Sequence, residues 1–225
     1  MAMKIIDIPT IDKAASAELR ELYSEPHRFY HNTKHIEDML ANADKSEYPP
    51  NHPIYIAIAY HDAVYYPQSK RNEELSRWLF TAHADAYGFE MPNNRKMDVR
   101  RAIMATKNHT HEDWDSELPW IKEMLDFDLW GLGNSYEEFE HNTVCIYAEF
   151  KRHVTMRQFC HGRINFFNKL IERPLFRVHA DREKQARENI RVECSKLLDY
   201  KWQTAFEERT EEYILSKLDA ASSGI

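Results

Sequence analysis

Residues 54–60 read "IYIAIAY", and whether they form a strand or a helix decides the fold class. Isoleucine at alternate positions, 54, 56 and 58, is the two-residue period of a strand. An apolar run this short also suits a helix buried on every side, and period alone does not separate the two. Two neighbours tip the balance. Pro53, two residues after Asn51, fits the first position of a helix, where its missing N–H would have no partner anyway. No other segment offers a strand to pair with, so a buried helix is expected.

The flanking segments agree. In "AASAELRELYSE" (14–25), Leu19, Leu22 and Tyr23 share one helical stripe. "SYEEFEHNTVCIYAEFKRHV" (135–154) opens on Ser135 with Glu138 three residues later, the signature of a reciprocal capping box. It continues with Tyr136, Phe139, Thr143, Ile146 and Phe150 at helical spacing. "MRQFCHGRINFFNKLIERP" (156–174) is expected to be helical until Pro174 forbids continuation. From Asp181 to about Leu215, Ala186, Ile190, Leu197 and Leu198 mark one or two closing helices. Only 5 glycines and 9 prolines in 225 residues argue against a turn-rich sandwich. The expectation is one all-α domain over 1–225, with a core over about 11–200, a last helix to about 216, and a frayed "SSGI" tail.

Charge narrows the function. A formal net charge of −7 gives no general attraction for nucleic acid or an anionic membrane. A phosphorylated ligand would therefore need a local positive site. Cys145, Cys160 and Cys194 are odd in number and form no CxxC pair. Neither a disulfide framework nor a cysteine zinc site is expected, which fits a reducing cytoplasm. The opening "MAMKIIDIPTID" lacks the apolar core of a signal peptide, and no stretch approaches a transmembrane span.

Three segments carry candidate chemistry. "RFYHNTKHIEDML" (28–40) places His31 and His35 about one helical turn apart, which predicts a shared face. "AYHDAVYY" (59–66) sets His61 beside Asp62 after a helix that must be buried, where a charged aspartate needs a cation or strong donors. "LDFDLWGLG" (125–133) holds Asp126 and Asp128 in an apolar run. His35, His61, Asp62 and one aspartate of "DFD" form a two-imidazole, two-carboxylate set suited to Mn²⁺, Fe²⁺, Co²⁺, Ni²⁺ or Zn²⁺ over Ca²⁺. Such an ion lowers the pKa of a water it binds and stabilises charge on a phosphoryl oxygen. Arg28 is either a bidentate phosphate donor or a surface arginine.

The order H…HD…D resembles the HD-domain metal-dependent phosphohydrolases. "RFYHNTKHI", "HDAVYY", "NEELS", "DFDLWGLG", "GRINFFNKL" and "ARENIRVE" together resemble the predicted phosphohydrolase branch of that superfamily, from about Tyr23 to Glu193. The resemblance implies a single all-helical HD-domain bundle and a divalent cofactor, Mg²⁺ included. It implies His35, His61, Asp62 and Asp128 as the metal ligands, because the family's last aspartate precedes a leucine pattern such as "DLWGL". "YHNTKH" is similar to the start of the cyclic-nucleotide phosphodiesterase site, which implies His31 as the general acid. His109 would touch substrate or a second metal, whereas His111 reads as a loop histidine. Asn72 and Glu73 match the family's NE pair and would steady the metal's water or His31, although Lys70 and Arg71 stand where relatives often carry an acid. Tyr65 and Tyr66 line a pocket or pack in the core. Arg163, Arg187, Asn189 and Glu193 match late motifs and read as a buried structural network.

The implied function is hydrolysis of a small phosphorylated metabolite, a nucleotide or similar phosphoester, by a cytoplasmic enzyme with no nucleic-acid or membrane partner. A homodimer is left open. Two other readings stand beside it. A di-iron HD oxygenase would need extra histidine ligands, for which His83, His109 and His111 lie in the right interval. A non-catalytic nucleotide-binding HD module would favour a degenerate site, and no ligand is missing here. The remaining histidines, among them His27, His52 and His179, are given no role.

Overall fold

The helix over 54–60 forms because nothing around it is water. In the computed structural model, which describes residues 4–46, 48–109 and 118–222, every residue from Pro53 to Tyr60 is buried. With Pro53 in the first turn, His52 is the N-cap, its Nδ1 accepting the Ile54 N–H at 3.3 Å. Burial, then the positive charge of Arg95, pushes the His52 pKa down to about 4, so Nδ1 remains an acceptor at neutral pH. The three isoleucines each contribute about 1.5–3 kcal/mol by leaving water. The tyrosine hydroxyls, which would oppose burial, all find partners. Tyr55 donates to the Tyr48 carbonyl at 3.1 Å, and Tyr60 meets His83 Nδ1 at 2.9 Å.

Among the described residues the chain is all-α, with ten α-helices and no strand. They are α1 (Lys13–Tyr23), α2 (Thr33–Lys45), α3 (Pro53–Tyr60), α4 (Asn72–Ala86), α5 (Asn93–Ala105), α6 (Pro119–Asp128), α7 (Tyr136–Phe150), α8 (Met156–Leu170), α9 (Glu183–Leu197) and α10 (Tyr200–Ser222). None is long and apolar enough to cross a membrane. The backbone divides into two compact units. The first holds residues up to Trp130 together with Phe176–His179, and the second holds Gly131–Leu175 and the chain from Ala180.

In the first unit α3 is the axis, touching α2, α4, α5 and α6. In the second, Val144, Tyr147, Phe159, Leu197 and Phe206 form the core. α7 begins with the expected capping box of Ser135 and Glu138, and α8 carries a second one from Thr155 and Gln158. α8 ends at Leu170, four residues before Pro174. The closing segment is two helices, and the second runs past position 216 to Ser222. The late-motif residues tie this unit together: Asn189 donates to the carbonyls of Leu132 and Asn134, Arg163 to Thr143, and Tyr136 to Glu193.

Candidate metal centre

Three helix ends in the first unit meet at one point: the start of α2, the end of α3 and the end of α6. His61 caps α3 at its C-terminus, and Asp62 lies in the turn that follows. That position at a helix end is what lets two adjacent side chains reach one place. His35 comes from the first turn of α2, and Asp128 is the last residue of α6. One donor atom from each of His35, His61, Asp62 and Asp128 lies within 4.8 Å of all the others. Ligands on opposite sides of one ion at ~2.1 Å are ~4.2 Å apart, so this set needs little contraction to hold one. It is the only such group among the described residues.

His61 supplies the test of fit. It is fully buried, and its Nδ1 lies 2.9 Å from the Ile58 carbonyl, which fixes the proton on that nitrogen. Nε2 then points inward, 3.1 Å from Asp62 Oδ2 and 3.5 Å from Asp128 Oδ1, yet makes no hydrogen bond. A buried ring nitrogen that faces carboxylates without a hydrogen bond, with its other nitrogen anchored to a carbonyl, is how a metal-ligating histidine is held. Burial works to lower the His61 pKa, but the charges of Asp62 and Asp128 outweigh it and raise it well above its usual value. Asp128 shows the reverse: burial would raise it, and His61, with hydrogen bonds to His109 and His35, holds it well down. The group concentrates negative charge that a proton or a cation must neutralise.

The loop carrying Asp62 is clamped at consecutive residues. Arg28 reaches the carbonyls of Asp62 at 2.7 Å, Ala63 at 2.8 Å and His31 at 3.1 Å, and the Glu25 carboxylate at 2.9 Å. Its guanidinium lies over the rings of Tyr23 and Tyr65. Arg28 is therefore not a surface residue: it is buried, and the fork expected to take a phosphate is occupied by three backbone carbonyls and the Glu25 carboxylate. Ser76 bonds both the N–H and the carbonyl of Val64. Asn72 does the same to Tyr66, so its expected contact with the metal's water or His31 is replaced by a grip on the loop. Glu73 is half-buried with its pKa raised by burial and, less, by the charge of Asp62. Arg28→Lys is expected to lower stability by about 2–4 kcal/mol, since one ammonium cannot replace the fork and buried carbonyls lose partners. Urea denaturation measures it, and an unchanged midpoint would refute the clamp.

His31 and His35 do not share a helix. α2 starts at Thr33 with Asn32 as N-cap, so His31 precedes the helix. The rings are still neighbours, 6.1 Å between centroids, and His31 stacks on Tyr65 at 4.1 Å. His109 lies against the group: its Nε2 is 3.1 Å from Asp128 Oδ2, the oxygen not used by His35 and His61. Of the extra histidines an oxygenase would use, His83 is engaged with Tyr60 and Glu18, and His111 lies outside the described residues.

The two aspartates of "DFD" have separate duties. Asp126 is buried and accepts the backbone N–H groups of Arg177, Val178 and His179 at 2.7–3.1 Å. Glu123, one turn earlier on α6, meets the His179 ring at 3.2 Å. Sequence reasoning missed this docking, because nothing in "FRVHA" marks it as a partner of α6. Asp128→Asn is expected to weaken metal binding without a large change in melting, whereas Asp126→Asn should cost about 1–3 kcal/mol of stability and spare the metal. Metal titration and thermal melting of both variants check this, and the reverse ranking would reassign the ligand.

His52, Ser76 and His179 carry structural roles that sequence reading did not assign. Only His52 had a usable signal, its place directly before a proline at the start of a helix. Compared with protein-family models, with curated proteins and with solved structures, the chain matches none.

Proposed function

We propose that the chain is a cytoplasmic, divalent-metal-dependent phosphohydrolase of the HD type, acting on a small phosphorylated metabolite such as a nucleotide. The observation that carries this reading is the buried His61 Nε2, without a hydrogen bond, in a group with His35, Asp62 and Asp128. These four residues would hold the ion, Mn²⁺, Fe²⁺, Co²⁺, Ni²⁺, Zn²⁺ or Mg²⁺. When bound, it supplies a Lewis acid that makes a water more acidic and offsets charge on a phosphoryl group. The protein's own residues do the rest. His109 holds the second oxygen of Asp128 and so fixes the carboxylate's orientation. Arg28, Ser76 and Asn72 keep the Asp62 loop from moving. His31, stacked on Tyr65 beside the group, gives a proton to the leaving oxygen, the work of a general acid.

Metal analysis of the purified protein, then a phosphatase screen over nucleotides and sugar phosphates with added Mn²⁺, Co²⁺, Ni²⁺ and Mg²⁺, tests the reading. Protein without metal affinity and without hydrolysis would remove it. A pH dependence follows as well. Because the His61 pKa is raised when no cation is bound, the imidazole is protonated below that pKa and a cation must displace the proton. Metal affinity is expected to fall as pH drops through this range, by about tenfold per pH unit for each proton displaced. Metal titrations across pH check it, and an affinity indifferent to pH would exclude His61 as a ligand.

A further inference from the structure

The second unit contains a cavity of about 670 Å³, lined by residues of α7, the turn over 151–155, α8 and the start of α10. That volume falls in the range of small-molecule sites, about 300–1,000 Å³. Its charge departs from that of the chain. The protein is net negative, yet Lys151, Arg152 and Arg157 line this hollow with Glu207 as the one carboxylate. Glu207 already accepts the Tyr147 hydroxyl at 3.0 Å, and Lys151 is paired with Glu211. Arg152 and Arg157 are exposed and make no hydrogen bond or ion pair among the described residues. α8 begins here, and its capping box satisfies Gln158 and Thr155, leaving the amides of Met156 and Arg157 at the positive end of a 15-residue helix. Tyr200, 79% exposed, adds a bare aromatic ring to the lining.

We propose that this cavity binds a small organic phosphate carrying a planar ring, an aryl phosphate or nucleoside monophosphate, at a site built from none of the metal-group residues. The two uncommitted guanidinium forks match phosphate oxygens in pairs, which a surface held by scattered lysines would not. The helix terminus adds favourable potential for the same anion. The Tyr200 ring offers a face for stacking, and the global negative charge means that only a concave, locally cationic place can collect such a ligand.

Calorimetric titration of the full chain with phenylphosphonate and with inorganic phosphate tests the site, repeated in His61→Ala so that the metal group cannot capture the phosphoryl oxygens. Saturable phenylphosphonate binding with a Kd below about 1 mM is expected, kept in His61→Ala and tighter than that of phosphate. R152A/R157A should weaken it about tenfold or more. Tyr200→Ala should weaken phenylphosphonate but not phosphate. All three side chains are exposed, so circular dichroism should be unchanged. No saturation up to about 10 mM, binding that survives R152A/R157A, or binding that disappears in His61→Ala would overturn the proposal. Equal affinity for phosphonate and phosphate, or an indifferent Tyr200→Ala, would overturn the ring's part in it.

Discussion

His61→Ala is expected to give a folded protein that holds no divalent ion and hydrolyses phosphoesters at least about 10³-fold more slowly. The ring is wholly buried, and its loss takes away the one group nitrogen whose direction is fixed by a carbonyl at the opposite side of the ring. Fold and function separate here for a physical reason. The imidazole sits among carboxylates, so alanine removes an interaction that required neutralising charge as well as a packed ring. Asp62→Ala should have the same effect on metal and rate. Arg28 grips the backbone carbonyl of Asp62 and not its side chain, so the loop stays where it is. Elemental analysis and thermal melting of both variants decide the matter. Stoichiometric metal in either one would take away the centre of the functional reading.

His31→Ala should part company with His35→Ala. The first is expected to keep its metal and lose turnover by about 10²- to 10⁴-fold, the usual contribution of a general acid. The second should lose both, because His35 Nε2 lies 3.1 Å from Asp128 within the donor group. The deficit at His31 should shrink for p-nitrophenyl esters, whose leaving group needs little protonation, and be largest for alkyl phosphates. Steady-state rates on the two substrate classes, with metal content measured beside them, separate the cases. If His31→Ala strips the metal as fully, His31 is a ligand. If it changes neither, the stack on Tyr65 is packing alone.

Much of this was legible in one dimension. "IYIAIAY" was readable as a helix because Pro53 and the lack of partner strands outweighed its alternation, and burial on all sides explains why its period was ambiguous. The capping box at Ser135 is a local device with a local signature, so it appears as written. The candidate ligands sit where "HD" and "DFD" put them, at helix ends, but only tertiary structure assigns Asp126 to backbone amides some fifty residues away. Spacing misplaced His31, since a four-residue interval says nothing about where the N-cap falls, and Asn32 takes that position. Arg28 was unreadable for a related reason. Its partners are carbonyls, and carbonyls leave no mark on sequence.

The hold of Asp126 on Arg177, Val178 and His179 has a bearing on how the protein is made. The chain leaves the first unit after Trp130 and rejoins it at Phe176, so α6 is synthesised long before its backbone donors exist. Translation adds about 5–20 residues per second, and the 52 positions between Asp126 and Val178 correspond to a delay of about 3–10 s. Through that interval the Asp126 carboxylate, near the end of the ligand-bearing helix, lacks its three backbone donors. A nascent chain halted near residue 130 would carry every candidate metal ligand and still lack the segment that secures the last of them, so a fragment ending there is expected to be a poor substitute for the whole chain.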